Sequence, residues 1–142
     1  MAASRRLEDL FEASSPLAQR LAAEEPFDSE EDLLRRAREL AAALPEAEKI
    51  ATLNAHPRIG ERPGLLSARS LAEQGAGELP ELDRLNDEYE RKFGFRFVVF
   101  VNRRSKAEIL EVLRERLTNS REAEMAAGLE AIVDIAADRA RT

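Results

Sequence analysis

Only one stretch of this chain, residues 93–101, has the composition of a β-strand. It contains four phenylalanines and three valines, and aromatic and β-branched residues favour extended backbone. A sheet needs at least two such segments, and the sequence offers no second one to pair with it. We therefore predict an all-α fold, in which this apolar segment, part extended and part helical, threads a helical bundle.

Helix start signals recur along the rest of the chain. Serine or proline precedes apolar residues spaced three and four apart, which is typical of a helix with one buried face. The predicted starts are Ser15 with Pro16, Ser29 with Asp32, Pro45, Ser70 with Glu73, Pro80, Ser105 with Glu108, and about Arg121. The helix after Pro80 would bury Leu82, Leu85, Tyr89 and Phe93, and the last helix Met125, Leu129, Ile132, Val133 and Ala136. We expect about seven to nine helices in one domain, residues 1–142, with one short extended apolar segment.

Composition narrows the classes of function. The hydrophobic fraction of 44% fits a globular domain, and the net charge of −6 argues against a broad nucleic-acid or anionic membrane surface. The absence of cysteine excludes disulfides, thiolate nucleophiles and cysteine-based metal centres, and a single histidine leaves only carboxylates as further metal ligands. There is no P-loop and no dinucleotide-binding glycine pattern.

The sequence also bears on location. No apolar run approaches the ~20 residues that a membrane span needs. The N-terminus lacks the apolar centre of a secretory signal. We therefore expect a cytoplasmic protein that binds no membrane.

His56 is the only histidine. An unperturbed imidazole has a pKa of about 6.5, so this residue type can donate or accept a proton at neutral pH. His56 precedes Pro57, and the residue before a proline is disfavoured in helical conformation. A helix is therefore expected to end at His56, where a loop rich in proline and glycine begins. The alternative is a surface histidine that interacts favourably with a helix C-terminus.

Residues 70–74 read Ser-Leu-Ala-Glu-Gln. The spacing of Ser70 and Glu73 is that of a capping box, which needs no substrate. The functional interpretation is that a helix N-terminus offers free N–H groups to a ligand. Glu73 and Gln74 would then supply a carboxylate and an amide suited to urea-like groups.

Residues 95–101 are most simply part of the core. Arg96 interrupts them, and we expect a charged residue among six apolar neighbours to face water, a partner or a ligand.

Together these segments resemble a known family. Residues 54–60 resemble its His-Pro signature, and residues 70–74 its Ser-x-x-Glu-Gln segment. Residues 85–98 resemble its Leu-Asn-x-x-Tyr-x-x-x-Phe-Gly-Phe-x-Phe-Val stretch, and residues 10–14 and 26–27 also match in order. The family is 2-oxo-4-hydroxy-4-carboxy-5-ureidoimidazoline (OHCU) decarboxylase, and the resemblance covers nearly the whole chain.

The resemblance implies an all-α homodimer that converts OHCU to (S)-allantoin and carbon dioxide in urate degradation, without a cofactor or metal. It implies that His56 and Glu73 are catalytic. The implied substrate-binding residues are Pro57, Ser70, Leu71, Ala72, Glu73, Gln74, Phe97, Val98, Val99, Phe100, Val101 and Arg139. The chain departs from the family at Arg96, where many members have proline. Residues 102–104 depart from a commoner glycine-containing sequence, and Arg139 lacks its flanking leucines.

Two other functions stay open on the sequence: a non-catalytic helical interaction module, and an inactive member of the family. In the first, the capping boxes would only be caps. Convergence of His56, Glu73 and Gln74 on one pocket would favour the enzyme.

Overall fold

The computed structural model describes residues 7–57 and 78–141. Within these ranges the chain forms seven helices and no strand, which confirms the predicted all-helical class. The helices are α1 (Leu7–Leu10), α2 (Pro16–Ala23), α3 (Glu30–Ala43), α4 (Glu46–Ala55), α5 (Glu78–Phe93), α6 (Lys106–Arg116) and α7 (Arg121–Ala140).

Serine caps begin four of these helices. The hydroxyls of Ser15, Ser29, Ser105 and Ser120 each accept a hydrogen bond from the N–H three residues later. At the start of α6 the Glu108 carboxylate also accepts from the Ser105 N–H at 2.9 Å, completing the predicted capping box. Each cap typically contributes about 1 kcal/mol. The predicted box at Ser70 and Glu73 lies outside the described residues.

Proline positions differ slightly from expectation. Pro45 is the N-cap of α4 and not its first residue. The prediction that Pro80 opens a helix was wrong by two residues, because α5 begins at Glu78. N–H groups of a first helical turn have no acceptor within the helix, so a proline there costs no hydrogen bond.

The long helix α7 organises the packing, since it lies against α1, α3 and α4, while α5 packs on α6. The residues predicted to face inward in α7 and in α5 are all buried. Gly128 lets α7 approach α4 closely: a Cβ there would lie 2.7 Å from Cδ2 of the buried Leu53. This contact anchors the last turn of α4, just before His56.

The predicted apolar segment leaves the helix at Gly94, whose φ of +85° ends α5. Residues 96–101 are neither helix nor strand, so the helical part of the segment ends at Phe93. The rings of Phe95 and Phe97 pack edge-on against Tyr89, with centroids 6.1 and 5.2 Å away. The segment is thus held by side-chain packing and not by the backbone hydrogen bonds of a sheet.

No helix in the described part of the chain is long and apolar enough to cross a membrane.

Candidate functional site

His56 caps the C-terminus of α4. Its backbone is extended (φ −77°, ψ 137°), and its N–H donates to the Leu53 carbonyl at 3.2 Å. The predicted helix end at His56 is therefore confirmed. The residue is half-buried, whereas the following Pro57 is buried. A titratable side chain is thus held at the junction of a packed helix and the next segment.

Two hydrogen bonds join this junction to the apolar segment. The Arg96 backbone N–H donates to Oδ1 of Asn54, and Nη1 of Arg96 donates to the carbonyl of His56, both at 2.9 Å. The end of α4 and residue 96 are therefore side by side. Sequence reasoning gave Asn54 no role. Its position two residues before the histidine was the only available signal.

Arginines also hold the backbone of residues 97–101. Nη1 of Arg116 donates to the Val98 carbonyl at 2.9 Å. Arg104 donates from its backbone N–H and from Nε to the Val101 carbonyl, at 2.9 and 3.2 Å, and from Nη2 to the Phe100 carbonyl. The predicted pocket residues Phe97, Val98 and Val99 are buried, and Phe100 and Val101 are half-buried. The segment is therefore firmly positioned next to α4.

Behind the segment lies a buried polar network around Glu124, which is 0% exposed. Its carboxylate accepts from Tyr89 Oη at 2.6 Å, Arg116 Nε at 2.7 Å and Asn119 Nδ2 at 2.8 Å. Burial, together with the hydrogen bond to Glu124, raises the pKa of Tyr89 well above its ordinary value. Since this carboxylate is paired with a cation and two further donors, we assign it a structural role.

Arg139 sits in the last turn of α7 and is half-buried. Its Nη1 donates to the Leu10 carbonyl at 2.9 Å and lies 3.9 Å from Oε2 of Glu12. These contacts tie Arg139 to the end of α1.

Five predicted site residues lie outside the described residues: Ser70, Leu71, Ala72, Glu73 and Gln74. The convergence of Glu73 and Gln74 on His56 therefore stays a prediction. In the ranges that the structure describes, no three His, Asp or Glu side chains are grouped so as to hold a metal ion.

A groove of about 450 Å³ lies between α3, α4 and α7, with Ala41, Met125 and Leu129 among its lining residues. None of the predicted site residues lines it, so it is separate from the candidate site.

Comparisons with known proteins agree with this architecture. The family model described as OHCU decarboxylase matches residues 1–141. The uric acid degradation bifunctional protein PucL of Bacillus subtilis is 33% identical over 92% of this chain, and the matched part is 28% of that protein. A second bifunctional relative, from a Bacillus species, is matched over 27% of its length. The chain therefore spans little more than a quarter of these two relatives.

Two further matches have a length similar to that of this chain. The OHCU decarboxylase of Halalkalicoccus jeotgali is 31% identical over 92% of this chain and 78% of its own length. A crystal structure of an OHCU decarboxylase in the presence of (S)-allantoin has a TM-score of 0.77 and 29% identity, covering 90% of this chain and 89% of that one. The family match over residues 1–141 and the shared fold lead to one conclusion: this chain belongs to the OHCU decarboxylase family.

Proposed function

We propose that this chain is a carboxy-lyase that converts OHCU to (S)-allantoin and carbon dioxide in urate degradation. The proposal rests on two hydrogen bonds, which we call the clamp at His56. Nη1 of Arg96 donates to the His56 carbonyl, and the Arg96 N–H donates to Oδ1 of Asn54. In a family of decarboxylases, this clamp holds the backbone of the residue that carries the only imidazole of the chain beside the apolar segment.

The proposed reaction requires few functional groups from the protein. Loss of carbon dioxide leaves an electron pair on the ring carbon that carried the carboxylate. The adjacent carbon–nitrogen double bond accepts this pair, so the substrate supplies its own electron sink and we propose that no cofactor takes part. The ring nitrogen of that double bond takes up a proton, the ring carbon that bears the ureido group takes up another, and the ring hydroxyl gives up its own to become the carbonyl of allantoin. Carboxylate is thus lost as carbon dioxide with a net uptake of one proton.

We assign acid–base catalysis to His56, with Glu73 orienting it or binding substrate N–H groups. The proposed pocket consists of Pro57, residues 70–74, residues 97–101 and Arg139. A donor held on one side of a planar intermediate delivers its proton to one face. The product is then the single enantiomer (S)-allantoin.

The remaining assignments follow the family resemblance. We propose that residues 1–142 form one domain, that two copies associate as a homodimer, and that the protein acts in the cytoplasm. We also propose that it binds neither nucleic acid nor membranes. Size-exclusion chromatography with light scattering tests the dimer.

The test of the function is an assay with freshly generated OHCU, with and without protein. Substrate loss is followed by absorbance and product chirality by circular dichroism. Unaided decay gives racemic allantoin, because the planar intermediate is open on both faces. We expect faster loss of substrate and a large excess of (S)-allantoin. A racemic product at an increased rate contradicts delivery of the proton by a fixed donor. No change in either readout favours an inactive relative or an interaction module.

A further inference from the structure

Arg96 has an unusual environment for an arginine. Its neighbours Phe95 and Phe97 are 2% and 1% exposed, while Arg96 itself is half-buried. Its side chain turns toward α4, where Nη1 meets the His56 carbonyl at 2.9 Å. A guanidinium is therefore held directly beside the proposed catalytic residue.

This guanidinium has no carboxylate partner among the described residues. Its contact there is a carbonyl, which accepts a hydrogen bond but carries no net charge. Two arginines elsewhere in the chain show the pairing with a carboxylate that Arg96 does not make there: Arg36 binds Glu24 at 2.7 Å, and Arg114 binds Glu81 at 2.7 Å. A partly desolvated guanidinium whose described partner is a neutral carbonyl favours an anionic ligand, and the planar fork of arginine suits a carboxylate.

Arg139, the one arginine that the sequence predicts for the pocket, is less suited to binding a carboxylate. Arg139 already has the Glu12 carboxylate 3.9 Å away and donates to the Leu10 carbonyl. A carboxylate approaching Arg139 must compete with Glu12. The same ligand approaching Arg96 displaces no described carboxylate.

We propose that Arg96 binds the carboxylate of the substrate, the group that departs as carbon dioxide. This inference rests on the proposed function. The charge on the carboxylate disperses as the carbon–carbon bond breaks. The contact with Arg96 therefore stabilises the bound substrate more than the transition state. Loss of Arg96 should therefore raise KM more than it lowers kcat.

The experiment compares two stable ligands by calorimetry, so it does not depend on turnover. (S)-allantoin is neutral, whereas allantoate carries two ureido groups and one carboxylate. For Arg96→Gln we expect affinity for allantoate to fall about ten- to a hundredfold, the size of one charge-assisted hydrogen bond. Affinity for (S)-allantoin should change little.

Two variants serve as controls. Arg103→Gln removes the same charge from an exposed position in the following turn, and we expect unchanged affinity for both ligands. Arg96→Lys keeps the charge and should lose less allantoate affinity than Arg96→Gln. Thermal unfolding followed by circular dichroism checks that each variant is folded.

Several outcomes overturn the inference: equal allantoate affinity in wild type and Arg96→Gln, no allantoate binding by wild type, equal losses in Arg96→Lys and Arg96→Gln, or equal losses for both ligands. These outcomes differ from failure of the proposed function. In that case the wild-type protein does not turn over OHCU.

Discussion

Arg116 lies over the ring of Phe97, with its guanidinium carbon 4.7 Å from the ring centroid. The same side chain binds the buried Glu124 through Nε and the Val98 carbonyl through Nη1. One residue of α6 thus couples a buried carboxylate of α7 to the segment proposed to line the pocket.

Replacement of Arg116 should therefore destabilise the fold. Arg116→Met keeps an apolar contact with Phe97 but leaves Glu124 buried without its cation. Breaking one side of a buried ion pair typically costs about 3–5 kcal/mol, and we expect a loss of this size in urea unfolding. The double variant Arg116→Met with Glu124→Gln should recover part of it.

The matched control is Arg35→Met. Arg35 pairs with Glu39 at 3.1 Å, with side chains 62% and 50% exposed, and such surface pairs contribute at most about 1 kcal/mol. Equal losses for Arg35→Met and Arg116→Met would contradict the importance of the buried network.

Tyr89 should resist ionisation at alkaline pH. Its pKa is raised well above the ordinary value of about 10, mainly by burial and then by the bond to Glu124. The stability linked to this shift is fully present below about pH 10 and is lost as pH rises toward the folded-state pKa. Because the chain has one tyrosine and no tryptophan, phenolate absorbance reports Tyr89 alone.

We expect phenolate to appear only together with unfolding as measured by circular dichroism. In Tyr89→Phe the stability should depend less steeply on pH above about 10. Smooth ionisation near pH 10 in a folded protein would contradict the prediction.

The turn after the apolar segment should be strained. Asn102 and Arg103 have φ of 48° and 64°, a region that costs a side-chain-bearing residue roughly 1–2 kcal/mol and glycine little. Arg103→Gly should therefore raise the free energy of unfolding by up to about 1 kcal/mol. Asn102→Gly should gain less, since asparagine tolerates this conformation.

Arg104→Gly provides the contrast in the same turn. Arg104 binds the carbonyls of Phe100 and Val101, so its loss should lower stability. If Asn102→Gly, Arg103→Gly and Arg104→Gly change the unfolding temperature by the same amount, relief of backbone strain does not explain the change.

His56→Ala should keep the fold and lose activity. The clamp reaches the carbonyl of His56 and not its ring, so the substitution leaves that hydrogen bond available. General acid–base catalysis contributes typically ~10²–10⁴-fold, and we expect a rate loss in that range with an unchanged circular dichroism spectrum. A folded variant with nearly wild-type rate would remove His56 from the mechanism.

Glu73→Gln distinguishes a cap from a catalytic carboxylate. Glutamine can still bind the Ser70 N–H in a capping box, so we expect little change in thermal stability and a large loss of rate. Lower stability with the rate retained would favour the purely structural role.

Local chemistry in the sequence determined where most helices begin and where α4 ends. Ser105 and Glu108 cap each other across three residues, and Pro57 acts on the residue directly before it. Such interactions need no knowledge of the rest of the chain, which is why the Ser105 box and the helix end at His56 were predicted correctly. The unpaired apolar segment likewise sufficed to exclude a sheet.

Only the tertiary structure decided which distant groups meet. Arg96 and His56 are 40 residues apart, and Tyr89 and Glu124 are 35 apart. The sequence singles out Arg96 by its apolar neighbours but does not identify its partner, and nothing in it separates Arg116 from the rest of the 22 Lys and Arg residues. Their partners depend on how α4, α5, α6 and α7 pack. That packing results from many weak apolar contacts acting together, and no local pattern encodes it.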